Sequence, residues 1–546
     1  MNAKNAFHGL RFGLHNKRGI HGSCPWELLH AVLLGIDKYA RDCFFDQMGK
    51  TSTTAEEINS LSKLIGTLLS RQSDQNKPRT KFAKGILKGK LMAKEYTGVL
   101  LIISALLRCT AGEVLLTSAR KKGFRDDWQR RDWSLLIETL LQWEAYLNSS
   151  QMEKKHVKRL KKKHRFLMYL LKRVGHRTIG MGFKVMKFHA ILHLAQDILM
   201  FGVPMVVDTG SNESHHKTTK VAAKLTQKDI KTFEKQTSDR CDDFHVLHLA
   251  HEEMEGRPIW AYFNGYAHNP EVVVEPKITT GGMKVEFFLD EGEEEGQQPQ
   301  PAFRVLSRMK DKDSVEMDTE IFDYVWSIHE ALQNVAPSFR LCTEHCRNGQ
   351  IFRSHPNYRG KSGWRDWVMV QWEEGDFPAK IWGFIDLMDM PEGTQVALPN
   401  DPDETVVERG VYAVVESGVV VEEEDPKSDI WSVVQLETKD VEGQPDTYQK
   451  RLYLVDTEAF KDPVVVIPNI GAESDNEYLL MRPRSEWATD FIAWLNMPHE
   501  HDVVEMTSPQ VSEDEEEEAT DSEQEEDQSD LDDDEQGEAQ ESEEDE

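Results

Sequence analysis

Apolar residues recur at helical spacing through most of the first 255 residues. Leucine, isoleucine and valine repeat at i, i+3, i+4 and i+7, the pattern of helices that bury one face. One segment, Tyr96 to Leu107, is apolar throughout. The pattern predicts a mainly helical region over residues 1–255. Its helices begin after Pro25 and continue at 55–69, 96–108, 133–147, 154–173, 187–199 and 228–253.

After Gly256 the pattern changes to short apolar runs separated by turn residues. Strands are predicted at 259–263 and 285–289, before an acidic, flexible linker at 290–301 and a helix near 321–335. Six further strands are predicted at 367–372, 379–387, 410–415, 430–435, 451–456 and 464–468. Strands of this length and spacing are typical of a small antiparallel barrel or sandwich, and a helix at 487–495 closes the region.

These patterns predict an α+β multidomain protein. Residues 1–255 form the helical region, 256–335 a mixed connecting region, and 336–500 a β-rich domain. Residues 501–546 form an acidic tail, whose last 35 residues hold 22 Asp and Glu and no Lys or Arg. Such a segment cannot bury enough apolar area to offset its ordering entropy, so we expect it to be disordered.

Charge is distributed very unevenly along the chain. Residues 1–240 carry 43 Lys and Arg against 21 Asp and Glu, or +22, whereas the remainder carries 22 against 75, or −53. The net charge of −31 therefore combines a basic module with an acidic one. The basic module predicts contact with double-stranded DNA. The acidic tail could bind histones or other basic proteins, or keep the chain soluble.

The strongest basic segment runs from Lys154 to Arg173. A thin apolar stripe is surrounded by ten Lys and Arg, and no acid occurs between Lys154 and Gln196. A second basic tract covers Lys77–Lys94. The two alternatives are a solvated helix face and a nuclear-import signal at 158–165. The residues predicted to contact DNA are Lys154, Lys155, Lys158, Arg159, Lys161, Lys162, Lys163, Arg165, Lys217 and Lys220.

The chain shows no signal-peptide pattern and no apolar run of the roughly 20 residues that span a bilayer. Six scattered cysteines do not resemble a secreted disulfide framework. We therefore expect a soluble nuclear protein without a membrane partner.

Two clusters have spacings that metal sites use. His189 and His193 lie four apart on one predicted helix, but the zinc-protease pattern requires Glu where Ala190 stands. Cys342, His345, Cys346 and His355 form an irregularly spaced zinc-knuckle pattern. Four tryptophans could line an aromatic cage for methyl-lysine or belong to the core: Trp364, Trp367, Trp372 and Trp382.

A carboxylate at a predicted strand-to-helix junction is the remaining chemical feature. The apolar, β-branched run 203–208 predicts a buried strand. Thr209, Ser211 and Asn212 offer N-caps for a helix that begins near Glu213 and carries His215 and His216. This geometry would place an acid at the mouth of a helix.

The order of these motifs resembles the later part of eukaryotic DDE/E cut-and-paste transposases of the CACTA and Plavaka kind. The residues that carry the resemblance are GIHGSCPWELLHAVLLGI (19–36), KFHAILHL (187–194), ESHHKTTK (213–220) and two segments at 352–372 and 453–487. The resemblance implies the last strand and helix of an RNase H-like core. Glu27 and His30 would occupy the family's C/DxxH signature, with Glu in place of Cys or Asp, and Glu213 would be the third catalytic acid.

In that family three carboxylates hold two Mg²⁺ ions for DNA strand transfer. The first two aspartates precede the signature, yet no acid precedes Glu27 in this chain. We therefore expect a truncated transposase remnant that binds DNA without cutting it alone. It would need no cofactor by itself, and Mg²⁺ only if a complete active site were supplied. The alternative is a nuclear chromatin-interaction protein with a basic helical module, a β-barrel reader and a histone-binding tail.

Overall fold

The computed structural model describes residues 28–48, 53–72, 77–87, 91–118, 127–175, 186–207, 219–255, 279–290, 300–306, 318–336, 339–347, 349–356, 358, 363–398, 405–421, 430–438 and 449–496. In the helical part a π-helix, Leu28–Asp37, runs directly into α1. Among the described residues, the longer helices are α1 (Lys38–Met48), α2 (Thr53–Ser70), α3 (Tyr96–Arg108), α4 (Thr110–Ser118), α5 (Asp127–Leu147), α6 (Lys154–Val174), α7 (Met186–Phe201) and α8 (Phe233–Glu255).

Helix α3 lies at the centre of the helical part because its sequence is apolar on every side. All of its residues except Arg108 are buried. The π-helix, α2, α4 and α5 contact it. Helix α5 contributes Trp133 and Trp143, which have no exposed surface. A helix that is apolar all round is stable only inside such a layer of amphipathic neighbours.

The described residues of the β part form strands of 2–12 residues and two further helices, α9 (Thr319–Leu332) and α10 (Arg484–Asn496). Every pairing between these described strands is antiparallel, which confirms the α+β class with a large antiparallel sheet. The strands are β1 (Thr279–Asp290), β2 (Gln300–Val305), β3 (Arg340–Arg347), β4 (Gln350–His355), β5 (Trp364–Arg365), β6 (Trp367–Trp372), β7 (Gly375–Asp386), β8 (Val396–Ala397), β9 (Val406–Val407), β10 (Val411–Val421), β11 (Trp431–Leu436), β12 (Leu452–Asp456), β13 (Phe460–Pro468) and β14 (Glu477–Met481).

Six of these strands close into a ring in the order β6, β7, β10, β11, β14, β13. Strand β10 makes the corner, because its first half pairs with β7 and its second half with β11. At the corner, Gly418 leaves room for Val434, since a Cβ on that glycine would lie 2.6 Å from the valine side chain. Closure removes the unpaired edges that an open sheet would expose.

The ring and the helices share one hydrophobic core. Alternate residues of β11 face opposite sides, so Val434 packs inside the ring while Trp431 joins the helical core. The indole Nε1 of Trp431 donates to the Ser104 hydroxyl at 2.9 Å. Helix α10 adds Trp487 and Phe491 to the same core. The described residues up to 496 accordingly belong to one compact unit, Met1–Asn496.

Among the described residues no single helix has the length and apolar content to cross a membrane. One pair of consecutive helical segments, Ala93–Arg108 and Thr110–Thr117, meets both criteria together but is bent by 85°.

In the described residues one predicted element is wrong, and the start of another is shifted. Residues 203–207 form no strand; Pro204–Val206 is a 3-10 turn, because proline fixes φ and favours the first position of a helical turn. The helix predicted over 228–253 is present as α8, but it begins five residues later, at Phe233. Lys228 has a φ of 57°, which a helix excludes. The predicted strand 259–263 and the acidic tail lie outside the described residues.

The two ends of the predicted linker 290–301 belong to the paired strands of one β-hairpin. Strands β1 and β2 pair with each other, Asp290 opposite Gln300 and Leu289 opposite Pro301. The residues at both ends of the predicted linker therefore belong to paired strands, and the segment connects neighbours within one sheet.

Candidate nucleic-acid interface

Helix α6 packs an uncharged face into the helical core. His164 lies on this face, and its Nε2 accepts a hydrogen bond from the indole Nε1 of Trp143 at 3.1 Å. Burial lowers the pKa of His164 to about 3, so the imidazole is neutral at physiological pH. The aliphatic residues of this face, all buried, are Val157, Leu160, Leu167, Leu170, Leu171 and Val174.

The opposite face of α6 is basic and exposed. Its exposed Lys and Arg are Lys154, Lys155, Lys158, Arg159, Lys161, Lys162, Arg165, Lys172 and Arg173. Lys163 is half-buried, and its Nζ lies 4.0 Å from the centroid of the Trp494 ring, a cation–π contact with α10.

Some of these charges have partners within the protein. Lys155 pairs with Glu153 at 2.7 Å and Arg173 with Asp132 at 3.0 Å. Arg159 donates to the side chain of Asn496. In the part of the chain that the structure describes, the remaining six residues make no ion pair. Five of them lie between the start of α6 and Arg165, and we call these five the basic face of α6: Lys154, Lys158, Lys161, Lys162 and Arg165. The sixth, Lys172, lies about two turns further along the helix.

The basic face follows the helix axis. Lys158, Lys161, Lys162 and Arg165 stand at i, i+3, i+4 and i+7, so their ammonium and guanidinium groups project to one side. From Lys154 to Arg165 the face extends about 16 Å, a length over which duplex DNA presents roughly ten phosphates. The arrangement can bind a polyanion along a line.

Two further lysines were predicted to contact DNA. Lys220 is exposed in a short helix over 219–224, and Lys217 lies outside the described residues. Lys220 and the basic face of α6 therefore lie on separate helices.

His189 and His193 are brought together, as their spacing predicts. Their Nε2 atoms lie 3.0 Å apart on the exposed side of α7. Within the described residues no group of three or more His, Cys, Asp or Glu is placed to hold a metal ion, so this pair has no third ligand there.

The catalytic and signature positions of the transposase-like motifs fall mostly outside the described residues. Glu27, Glu213, His215 and His216 are not described, and His30 is exposed on the π-helix. No protein-family model, curated protein or solved structure matches the chain. The resemblance to DDE/E transposases and the RNase H-like remnant stay predictions based on short motifs.

The zinc-knuckle pattern falls on two strands. Cys342, His345 and Cys346 belong to β3, and His355 ends β4. Residues three apart on a regular strand point to opposite faces, and residues four apart are separated by about 13 Å. The extended backbone therefore separates the four predicted zinc ligands, whereas a tight turn would bring them together. His345 is instead packed against Phe384, and burial lowers its pKa to about 4.

The four tryptophans make separate contacts and do not form a single cage. Trp367 packs against Tyr478, Trp372 against Tyr453 and Trp364 against Tyr358. The Trp382 indole donates to Glu416 at 2.7 Å. The predicted alternative, a core or structural role, fits these contacts better than methyl-lysine recognition.

Sequence patterns did not identify Asp37 as unusual, although its environment is. It ends the π-helix with no exposed surface, and neither carboxylate oxygen has a hydrogen-bond partner among the described residues. Burial, and then the neighbouring Glu144 carboxylate, raise the pKa of Asp37 well above its usual value. Its one detectable signal in the sequence is that it directly follows the apolar stretch that ends at Ile36.

Proposed function

We propose that this protein is a transposon-derived protein of the nucleus that binds double-stranded DNA through the basic face of α6. The observation that carries the proposal is a line of five exposed cations, on one side of one helix, that make no ion pair among the described residues.

An exposed unpaired cation gains by replacing counterions at a phosphate, whereas a cation already paired with a carboxylate gains less. The inward side of α6 is held by aliphatic packing and neutral His164, so the helix can present its charge without rearranging. Binding of this kind contacts the phosphate backbone and does not select a base sequence.

The transposase ancestry rests on the motif order and on Glu213 as the remaining acid. Two Mg²⁺ ions require several carboxylates, so one acid alone is not expected to support strand transfer. Genomic DNA upstream of the Met1 codon tests the ancestry: a strand-borne Asp, a second Asp and flanking inverted repeats support it. An intact unrelated promoter at that place argues for the chromatin-interaction alternative.

DNA binding is tested by the salt dependence of duplex affinity in the full-length chain. The variant Lys158→Gln/Lys161→Gln/Arg165→Gln removes three adjacent charges of the basic face. Each lost phosphate contact lowers the slope of log K against log salt by about 0.9, so we expect a reduction of about 2.7. Fluorescence anisotropy with a labelled duplex measures both slopes.

The matched control is Lys224→Gln/Lys231→Gln/Lys235→Gln, which changes the net charge equally at exposed positions of another segment. We expect the control to bind with nearly the wild-type slope. Equal slopes for the wild type and the α6 variant would contradict the proposal.

A further inference from the structure

A cleft lies where the helical part meets the β part, away from the residues of the basic face. Its volume is about 490 Å³, within the range of small-molecule sites. One wall is the end of α2 with the segment 77–81, and the other is formed by β4 and β5. We call it the Trp364 cleft; its lining is Ser70, Gln72, Lys77, Pro78, Arg79, Thr80, Lys81, Gln350, Ile351, Arg353 and Trp364.

The walls of the cleft are held in place by contacts on both sides. Thr80 donates its hydroxyl to the Gly66 carbonyl at 3.1 Å, and Gly98 leaves no space for a Cβ beneath the Arg79 carbonyl. The segment 77–81 therefore packs directly against α2 and α3. Across the junction, the Gln72 amide Nε2 donates to the Val466 carbonyl at 3.0 Å.

Among the described residues, the lining carries four cations and no carboxylate. Arg79 pairs with Glu95 at 3.2 Å and Arg353 with Glu344 at 3.1 Å, which neutralises part of this charge. Lys77 donates to the Gln72 carbonyl. Lys81 is exposed and makes no ion pair within the described residues. The cleft therefore favours an anion.

Trp364 supplies a fixed aromatic surface. Its indole Nε1 donates to Asp366 at 2.8 Å, and its ring lies 4.9 Å from Tyr358 and 5.6 Å from the Arg353 guanidinium. The side chain remains half-buried at the wall of the cleft. A planar ligand can stack on an indole held this way without ordering it first.

Gln72 presents a buried acceptor that lacks a donor. The residue is 8% exposed, and its Oε1 has no hydrogen-bond partner among the described residues. Because Nε2 donates to Val466, the amide orientation is set and the oxygen is the atom left over. A buried acceptor without a donor is unfavourable, so a ligand that brings an N–H group is stabilised here.

An anionic group, a planar ring and an N–H donor occur together in one nucleotide. We infer that the Trp364 cleft binds a nucleotide unit. Its phosphate lies against Arg79 and Lys81, its base stacks on Trp364, and an exocyclic amine donates to Gln72 Oε1. Adenine, cytosine and guanine carry such an amine. Thymine offers only its ring N3–H, and the carbonyl oxygens on either side of that group would face the Gln72 oxygen unfavourably. This site goes beyond duplex binding by α6 and does not depend on it.

The source of the nucleotide is either a free nucleotide or an unpaired nucleic-acid strand. The full-length chain is titrated with labelled dA, dC and dT oligonucleotides of equal length, and with AMP as competitor. We expect dA and dC to bind about tenfold more tightly than dT. If AMP displaces the oligonucleotide only weakly, the ligand of the cleft is an unpaired strand. If AMP binds with an affinity similar to that of the oligonucleotide, the ligand is a free nucleotide.

Two variants test the cleft itself. Trp364→Ala is expected to weaken dA binding on the order of 10- to 100-fold, the range that base stacking supports. Lys81→Glu, an exposed substitution that spares the fold, is expected to weaken it clearly, while its control Lys231→Glu is not. The α6 triple variant should keep its preference for dA over dT, which separates this site from the basic face.

The inference is overturned if neither AMP nor any oligonucleotide binds, or if Lys81→Glu binds dA as tightly as Lys231→Glu does. Loss of duplex binding in the α6 variant with intact preference for dA would support both sites. If Lys81→Glu loses the preference for dA over dT but still binds duplex DNA, the preference belongs to the Trp364 cleft and the duplex binding does not.

Discussion

Asp37 is a carboxylic acid in a fully buried environment, where its pKa is raised well above the usual value. Its carboxyl group lies in the helical core near Glu144, which accepts a hydrogen bond from the Thr97 hydroxyl at 2.9 Å. Burial also raises the pKa of Glu144, although Arg484 and Thr97 oppose that change. Asp37, without these partners, is therefore the member of the pair that keeps its proton.

Replacing Asp37 by Asn should stabilise the protein at high pH. The folded-state pKa of Asp37 lies above that of the unfolded chain, so its contribution to stability is complete below about pH 4. That contribution is lost as pH rises toward the folded-state value, by about 1.4 kcal/mol for each pKa unit of difference. We expect Asp37→Asn to raise the melting temperature at pH 8 and to have little effect near pH 4.

Thermal unfolding followed by circular dichroism between pH 4 and pH 9 measures this difference. Asp239→Asn, at an exposed position of α8, serves as the control and should follow the wild type. If the melting temperature of Asp37→Asn changes with pH in the same way as that of the wild type, the pKa of Asp37 is not raised.

The basic face of α6 was predictable at the residue level, and the Trp364 cleft was not. Period and composition within one helix identified which lysines lie outside, because both properties are local. The cleft combines Gln72 and Lys81 with Trp364, nearly 300 residues away. Sequence spacing cannot reveal such a pair, since only tertiary packing brings it together.

At the scale of elements, α3, α5 and β11 meet at one buried carboxylate. Glu138 is fully buried and accepts hydrogen bonds from Arg108 Nε at 3.0 Å, Ser104 Oγ at 3.2 Å and the Ile430 amide at 2.9 Å. One side chain thus connects two helices to the strand ring.

Glu138→Ala should destabilise the protein by about 3–5 kcal/mol, because it leaves the Arg108 guanidinium and the Ile430 amide without their acceptor. Glu113→Ala breaks the pair with Arg130, in which Glu113 is 41% exposed, and should cost no more than about 1 kcal/mol. Urea unfolding of both variants compares the two costs. Equal destabilisation would mean that Glu138 does not join the elements.

Element prediction succeeded where one local signal decides the conformation. Strand β6 matches the predicted 367–372, and α3 and α7 match their apolar periods closely. The failure at 203–208 has a physical cause: β-branched residues favour a strand only beside a partner strand. Pro204 also lacks the N–H that a strand pairing would use.

At the scale of the molecule, the helical part is not expected to be stable alone. Its core includes Trp431, Ile467, Trp487 and Phe491 from the β part, and a fragment ending at Glu255 would expose the surface that they cover. A fragment of residues 1–255 should bind a hydrophobic dye and unfold without a sharp transition. The full-length chain should lose tryptophan fluorescence and helical circular dichroism at the same urea concentration.

The contrary result would be a fragment of residues 1–255 that unfolds as sharply, and at the same urea concentration, as the full-length chain. The predicted boundary at 255 marks a change of secondary structure. Ring closure and the shared core depend on contacts between distant residues, and a pattern read along the chain does not contain them.

The contact between Glu138 and Ile430 also means that the helical part is synthesised well before the β part that completes its core. The two residues are 292 positions apart, so at about 5–20 residues per second a ribosome delivers the second one roughly 15–60 s after the first. During that interval the nascent helices lack the strands and the closing helix that cover them. In the cell, the helical part must therefore be shielded from aggregation for most of the time that the ribosome needs to finish the chain.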